Sequence, residues 1–362
     1  MRASRDLLDA LRPGWRGAWD RFWFGEGSLL RLAIFRILVL CTALYALEFH
    51  RLSLLQGDAA SDYVSRRYVP IYLLEMLRIG PLSQSAALTI YYGLWGCISL
   101  AILGLFTRLT CLLSALGMLL WVGMGYSYGQ PHHEYGMLAF ALLALPFGPV
   151  GERLSLDAWL RRRKSRAMGE APALCEWAPG AMLPLRFVQV SIVIGYLSAG
   201  SSKLRFGGLD WMNGYTLQAF MLEFDGALTE HVSEYLSLVR LMSMGVIAIQ
   251  STCFLAVIWQ PLRWFYVPAI IAVHIGSQYL MDTGTFLGLW MLMACFLDLE
   301  RVPGFLGQRL KRGSWGRRLC WGVLLLAGGL WLASMYVHKG PRVVPYFLAA
   351  AWLGGYLRSR RR

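Results

Sequence analysis

Gln189, Tyr196 and Lys203 recur at intervals of seven, two helical turns each, so a helix carries all three on one face. Gly200 lies near that face and lets a second helix or a ligand come close. A lysine deprived of solvent can act as a general base, whereas one at a helix end can simply reach its ammonium out to a polar boundary. His274 is followed at i+3 and i+4 by Ser277 and Gln278, again on one face. An imidazole in such a place either moves protons or cements a helix–helix contact. His132, His133 and Glu134 form a third polar group. Adjacent histidines on a helix point about 100° apart, which argues against both binding one metal. Arg36 and Arg186 lie within apolar stretches, where pairing with carbonyls or a carboxylate is expected.

The elements that position these groups follow from composition. Of 362 residues, 57% are hydrophobic and 15% charged. Soluble folds carry roughly a quarter of charged residues, so this chain lacks the polar surface of a water-facing globule. The reading is an all-α, polytopic integral membrane bundle of about ten transmembrane helices. Disorder, a collagen helix and a disulfide scaffold are excluded. Six of the seven cysteines fall in apolar stretches and no C-x-x-C occurs, so neither redox nor metal chemistry is expected of them. A formal charge of +14 in such a chain marks cytoplasmic loops rather than a nucleic-acid partner.

Apolar stretches run over 28–49, 84–106, 109–128, 134–150, 181–202, 236–259, 264–281, 284–299, 318–337 and 342–357. With a cytoplasmic N-terminus, inner segments hold about 23 Lys and Arg and outer ones about 8, which supports ten spans with both termini inside. Residues 1–27 alternate arginine with Leu8, Leu11, Trp15, Trp19 and Trp23, suiting a helix on the inner membrane surface rather than a signal peptide. Residues 64–80 have a similar character on the outer side. The organisation is then an interfacial segment 1–27, a transmembrane domain 28–300, and two further spans with a basic tail over 301–362. This topology puts Lys203, His132, His133 and His274 in the outer half of the membrane, from three different spans. Convergent titratable groups in one layer mark a candidate site.

Five stretches resemble a known family. They are Ser28-Leu29-Leu30-Arg31-Leu32-Ala33-Ile34-Phe35-Arg36, Leu103-Gly104-Leu105-Phe106-Thr107-Arg108, and Pro131-His132-His133-Glu134-Tyr135-Gly136. The fourth is Tyr196-Leu197-Ser198-Ala199-Gly200-Ser201-Ser202-Lys203-Leu204 with Asp210-Trp211 and Asn213-Gly214-Tyr215, and the fifth His274 with Gly284-Thr285-Phe286 and Phe296-Leu297-Asp298. Together they resemble the horizontally transferred transmembrane (HTTM) domain family, whose best-known members are the vitamin K-dependent gamma-glutamyl carboxylases. The fourth stretch looks like the family's Ala-Gly-x-x-Lys-Leu…Trp-x-x-Gly motif. The resemblance implies a reduced vitamin K or other lipid quinone as cofactor, oxidised with dioxygen to drive removal of a proton and uptake of carbon dioxide. Lys203 matches the catalytic lysine, and His132 or His133 the catalytic histidine. Gln189, Tyr196, Gly200, Trp211, His274 and Gln278 are the implied quinone- or substrate-binding residues.

The implied partners are membrane lipid, the quinone and a secreted peptide or protein, with no nucleic acid and no metal; the implied location is a bacterial inner membrane. The carboxylases continue into a large lumenal domain, whereas this sequence passes into two more apolar stretches and Arg358-Ser359-Arg360-Arg361-Arg362. A clotting-factor-type substrate is therefore not expected. The rival readings are a non-catalytic factor for maturation of, or immunity to, a secreted peptide, and a transporter. Transport ranks last, because charges on both sides of a midplane site and broken helices in related halves are missing from the sequence.

Overall fold

A computed structural model of the chain describes residues 14, 17–49, 68–129, 133–170, 175–282 and 287–301. The described residues are almost wholly helical; the one sheet is a two-residue antiparallel pair, Gly27–Ser28 with Trp177–Ala178. The helices are α1 (Leu29–Phe49), α2 (Tyr72–Met76), α3 (Gln84–Leu103), α4 (Thr107–Ser127), α5 (His133–Ala144), α6 (Leu156–Ala167), α7 (Met182–Gly207), α8 (Tyr215–Phe224), α9 (Thr229–Val232), α10 (Leu236–Thr252), α11 (Leu255–Ile258), α12 (Arg263–Met281) and α13 (Leu287–Leu292).

Four segments among the described residues are long and apolar enough to cross a membrane: Leu29–Glu48, Gln84–Leu103, Thr107–Ser127 and Met182–Asn213. The protein is an integral membrane protein. Shorter apolar helices cover Tyr135–Phe147 and Leu236–Thr252. The expected span 236–259 ends early, because the helix stops at Thr252 and resumes for a single turn at Leu255–Ile258. The expected span 284–299 is represented by α13 and a 3₁₀ turn Met293–Phe296. The spans expected at 318–337 and 342–357 lie outside the described residues.

The chain divides into two compact units, residues 1–189 with 288–301, and residues 190–287 with 302–362. In the first, α1 is the central helix. Leu32, Phe35, Val39, Leu40, Ala43, Ala46 and Leu47 are all fully buried. Between it and α4, α3 buries Ala87, Tyr91, Leu94, Ile98 and Ala101, with the Tyr91 ring 5.9 Å from that of Trp121 on α4. That alternating four-and-three spacing makes a seam of the coiled-coil kind. Its opposite side leaves Tyr92, Leu100 and Leu103 exposed, the pattern of a helix with one lipid-facing side. Residues 17–24 are helical, and Trp19 and Trp23 meet edge to face at 5.6 Å.

Three charged groups in this unit, Arg36, Asp157 and Arg31, are tied to backbone. Arg36 is 0% exposed and donates to the carbonyls of Val150 (2.6 Å), Leu154 (2.6 Å) and Ile102 (3.4 Å). Leu154 and Phe106 both hold left-handed backbone at φ 46°, a strained choice for side-chain-bearing residues that needs such fixing. Asp157 accepts from the Phe106 N–H (2.9 Å), the Thr107 N–H (2.8 Å) and the Thr107 hydroxyl (2.6 Å). Arg31 donates to the Cys295 carbonyl at 2.9 Å and pairs with Asp298 at 3.5 Å. Near the other end of α1, Glu48 accepts from the Tyr91 hydroxyl and from Trp95 Nε1.

In the second unit Leu217, Met221, Val239 and Leu280 form a small core with Val232, Met242 and Met281 packed on it. The Thr229 hydroxyl donates to the Leu280 carbonyl at 2.7 Å, tying α9 to α12. Arg263 Nε donates to the Ala256 carbonyl at 3.0 Å and fixes the start of α12.

Candidate functional site

The site builds up around the second half of α7. Tyr196 is 8% exposed, and its hydroxyl lies 2.5 Å from His274 Nε2 on α12. The rings meet edge to face with centroids 6.0 Å apart. With Nε2 as acceptor the imidazole is neutral and carries its proton on Nδ1. One turn beyond Tyr196 is Gly200. A Cβ there would stand 2.9 Å from Ser251 Oγ and 3.2 Å from Gln250 Cβ, so only glycine lets α7 and α10 come this close. Gln250 Oε1 and Ser251 Oγ are themselves buried with no hydrogen-bond partner among the described residues. The two residues are only half-buried as a whole, so the space around them is not closed.

Lys203 follows Gly200 by three residues and so shares its face of α7. It is half-buried, with Nζ 5.3 Å from the centroid of the Trp211 ring. Trp211 belongs to a 3₁₀ turn, Gly208–Asn213, and packs against Gly207. Gly214 closes the turn at φ 91°, where a Cβ would meet the Arg240 amide nitrogen at 2.9 Å. Both facts demand glycine, which gives the Trp-x-x-Gly spacing a mechanical reason. Asn213 secures the turn from both sides, accepting from the Tyr215 N–H at 2.9 Å and, through its carbonyl, from Arg240 Nε at 3.2 Å.

The other expected site residues fall differently. Gln189 is 0% exposed and belongs to the first unit, where its amide nitrogen donates to the Cys295 carbonyl (2.7 Å) and its oxygen accepts from Arg186 (3.0 Å). Its polar atoms are engaged in holding helix ends, although its register puts it on the Tyr196–Lys203 face. The Arg186 guanidinium also lies over the Phe22 ring, 4.7 Å from its centroid. Gln278 is half-buried, and Ser277 bonds back to the Val273 carbonyl at 3.0 Å. His133 opens α5 in the first unit, and His132 lies outside the described residues. The described residues contain no group of three or more His, Cys, Asp or Glu able to hold a metal.

Sequence reasoning missed Gln250 and Ser251. The signal was present, since Gln250-Ser251-Thr252 is a polar run directly after the apolar stretch 244–249. In the structure Thr252 accepts from the Tyr266 hydroxyl at 2.8 Å.

Known proteins supply one further finding. No curated protein and no solved structure matches the chain. The family model for the HTTM domain matches residues 28–299, most of the chain and every residue of the site just described, and the protein belongs to the HTTM domain family.

Proposed function

We propose that this protein is a membrane-embedded enzyme of the carboxylase-like kind, using a reduced quinone and dioxygen to modify a peptide or small molecule at the outer face of the membrane. One observation carries the reading: the Tyr196–His274 pair stands one helical turn from two buried polar atoms, Gln250 Oε1 and Ser251 Oγ, that have no hydrogen-bond partner among the described residues. A buried polar atom left unpaired costs roughly 1–3 kcal/mol, a cost that a bound polar headgroup relieves. The donor set fits a quinol. An amide oxygen accepts from a phenolic O–H, and a serine hydroxyl donates to a ring oxygen. The surrounding helices are apolar, as a lipid-tailed ligand requires.

A reduced quinone, when bound, supplies by its oxidation with dioxygen the driving force for removing a proton from carbon. The chain's own residues then have distinct tasks. Gln250 and Ser251 orient the ring. Tyr196 holds the His274 imidazole in one tautomer and excludes water from that side of the helix pair. Lys203 Nζ takes and holds a proton once it leaves the Trp211 ring face. By the family resemblance, His132 or His133 supplies a second catalytic group. The same reading places both termini in the cytoplasm of a bacterial cell.

Hydroquinone oxidation by the purified protein, measured for wild type, Lys203→Ala and Lys203→Arg, tests the proposal. General-base roles are worth roughly 10²–10⁴ in rate, so both variants should lose turnover by that order while remaining folded. Arginine fails because its guanidinium does not deprotonate. A specific contact favours a second reading. Stacking on Trp211 suits a permanently cationic Lys203, as expected of a non-catalytic factor that binds a secreted peptide. Full function in Lys203→Arg would select that reading. Orientation is read separately by labelling Glu230→Cys in a cysteine-less background, since Glu230 is exposed. Access only from the cytoplasm would overturn the topology.

A further inference from the structure

We propose that α6 is a docking surface for the headgroup of an anionic phospholipid of the surrounding bilayer. Its place comes from the first unit alone. The 20-residue α3 is about 30 Å long, the thickness of the hydrocarbon core, so the turn between Leu103 and Thr107 lies at a membrane boundary. Asp157 binds the backbone of Phe106 and Thr107 in that turn. The first turn of α6 is thereby fixed at headgroup depth rather than free in solution.

The surface then divides along its length. Leu156, Trp159 and Leu160 share one face and are 38%, 53% and 45% exposed, while Ala158 on the other side is 4% exposed. Exposed Phe106 continues the apolar strip toward the hydrocarbon. Beyond it come the cations. Arg163 stacks on Trp159 at 5.5 Å, and Lys164 and Arg166 flank it, all three exposed and without an ion-pair partner among the described residues. Arg161 is otherwise engaged, paired to Glu152 at 3.0 Å. Asp157 is the one acidic residue of the helix and is already bound to Thr107. An apolar strip ending in free cations at this depth matches a lipid, with its glycerol and upper acyl chain on Trp159 and its phosphate on Arg163, Lys164 and Arg166. A nucleic acid or an acidic protein would leave the strip uncovered.

Native mass spectrometry of the full-length protein tests this, titrated in detergent with phosphatidylglycerol, cardiolipin or phosphatidylcholine. The anionic lipids should be retained and phosphatidylcholine lost. Each basic side chain near an anionic lipid surface is worth about fivefold in affinity, so Arg163→Gln/Lys164→Gln/Arg166→Gln should weaken binding of the anionic lipids roughly 100-fold. Arg163→Lys/Arg166→Lys should keep most of it, and the control Arg78→Gln/Arg205→Gln, which removes two charges elsewhere, should keep all. Should the triple variant fail to fold, Lys164→Gln alone is expected to lose roughly fivefold. Unchanged affinity in the variants would overturn the proposal. So would equal retention of phosphatidylcholine, displacement of the lipid by millimolar inorganic phosphate, or tighter binding of an RNA oligonucleotide.

Discussion

The two units treat polar groups at membrane depth in opposite ways. In the first, Arg31, Arg36 and Glu48 are each held by protein partners, several of them backbone carbonyls. Its buried unpartnered atoms include Ser114 Oγ and Trp121 Nε1, whose residues are 0% exposed and sealed in packing, and, outside its long helices, Trp23 Nε1 and Glu300 Oε2. In the second, Lys203 has an aromatic face, and Gln250 and Ser251 carry unpaired atoms in residues that are only half-buried. A charge in the hydrocarbon costs roughly 2.5–3.5 kcal/mol, so a sequence keeps one there for architecture or for a ligand. Satisfaction by the protein itself separates the two cases. The first unit uses its polar groups to hold helices, and the second leaves some of its polar atoms open to a ligand.

Substitutions can break this contrast. The largest effect is expected for Arg36→Met. It removes two short charge-assisted bonds and strands the Val150 and Leu154 carbonyls, for a loss of roughly 3 kcal/mol or more. Thermal unfolding in detergent reads it, and a loss below about 1 kcal/mol would mean that the latch is not structural.

Asp157→Asn is smaller, at about 1 kcal/mol, because the site is near solvent. Its pH dependence is more telling. Burial acts to raise the Asp157 pKa, but the Thr107 hydroxyl, the Thr107 and Phe106 N–H groups and Arg161 outweigh it, so the carboxyl sits below its ordinary value. The stabilisation is therefore complete at neutral pH, begins to fall as pH drops through about 4, and is gone below the lowered folded value. The stability difference between wild type and Asp157→Asn should shrink over that same interval; a difference that grows on acidification would contradict the assignment.

Gly200→Ala should change stability little. Alanine gains about 1 kcal/mol of helix propensity, while its Cβ pushes on Ser251 and Gln250. Turnover is the sensitive reading, and displacement of the ring-binding atoms by a fraction of an ångström should cost roughly tenfold or more. Gln250→Leu has the smallest expected effect on stability, zero or a gain of about 0.5–1 kcal/mol, since it replaces an unpaired polar atom by an apolar one. Quinol affinity should still fall by roughly fivefold, the worth of one hydrogen bond. A clear loss of stability in this variant would show that the amide serves packing instead and would erase the contrast between the units.

Much of the scaffold was legible because membrane helices announce themselves by length and apolarity. The first four long helices and α12 fall within a few residues of the expected stretches. The depth of His274 called for a partner inside the helix bundle, but not for Tyr196 in particular. Heptad spacing was a weaker guide. It put Gln189 on the Tyr196–Lys203 face but carried no information about Arg186 and the Cys295 carbonyl, which occupy its amide. Gln250 and Ser251 escaped because a hydropathy window averages two polar residues into their apolar neighbours. The polar run Gln250-Ser251-Thr252 marks the position, but the unpaired state of the side-chain atoms exists in three dimensions alone. The Arg36 latch was foreseeable in kind, as a buried arginine seeking carbonyls, but its acceptors lie 66, 114 and 118 residues away in the chain.

The central helix α1 also sets an order of assembly. Each long-range partner that its Arg31, Arg36 and Glu48 use is synthesised later, from 43 residues onward for Tyr91 to 267 residues onward for Asp298. At 5–20 residues per second the ribosome takes on the order of tens of seconds to deliver the last of them. Glu48 and Arg36 gain their contacts as residues 91–154 are made, but Arg31 stays without its own until Cys295 and Asp298 arrive. Newly made α1 is thus a client of its own chain, whose last described stretch completes it.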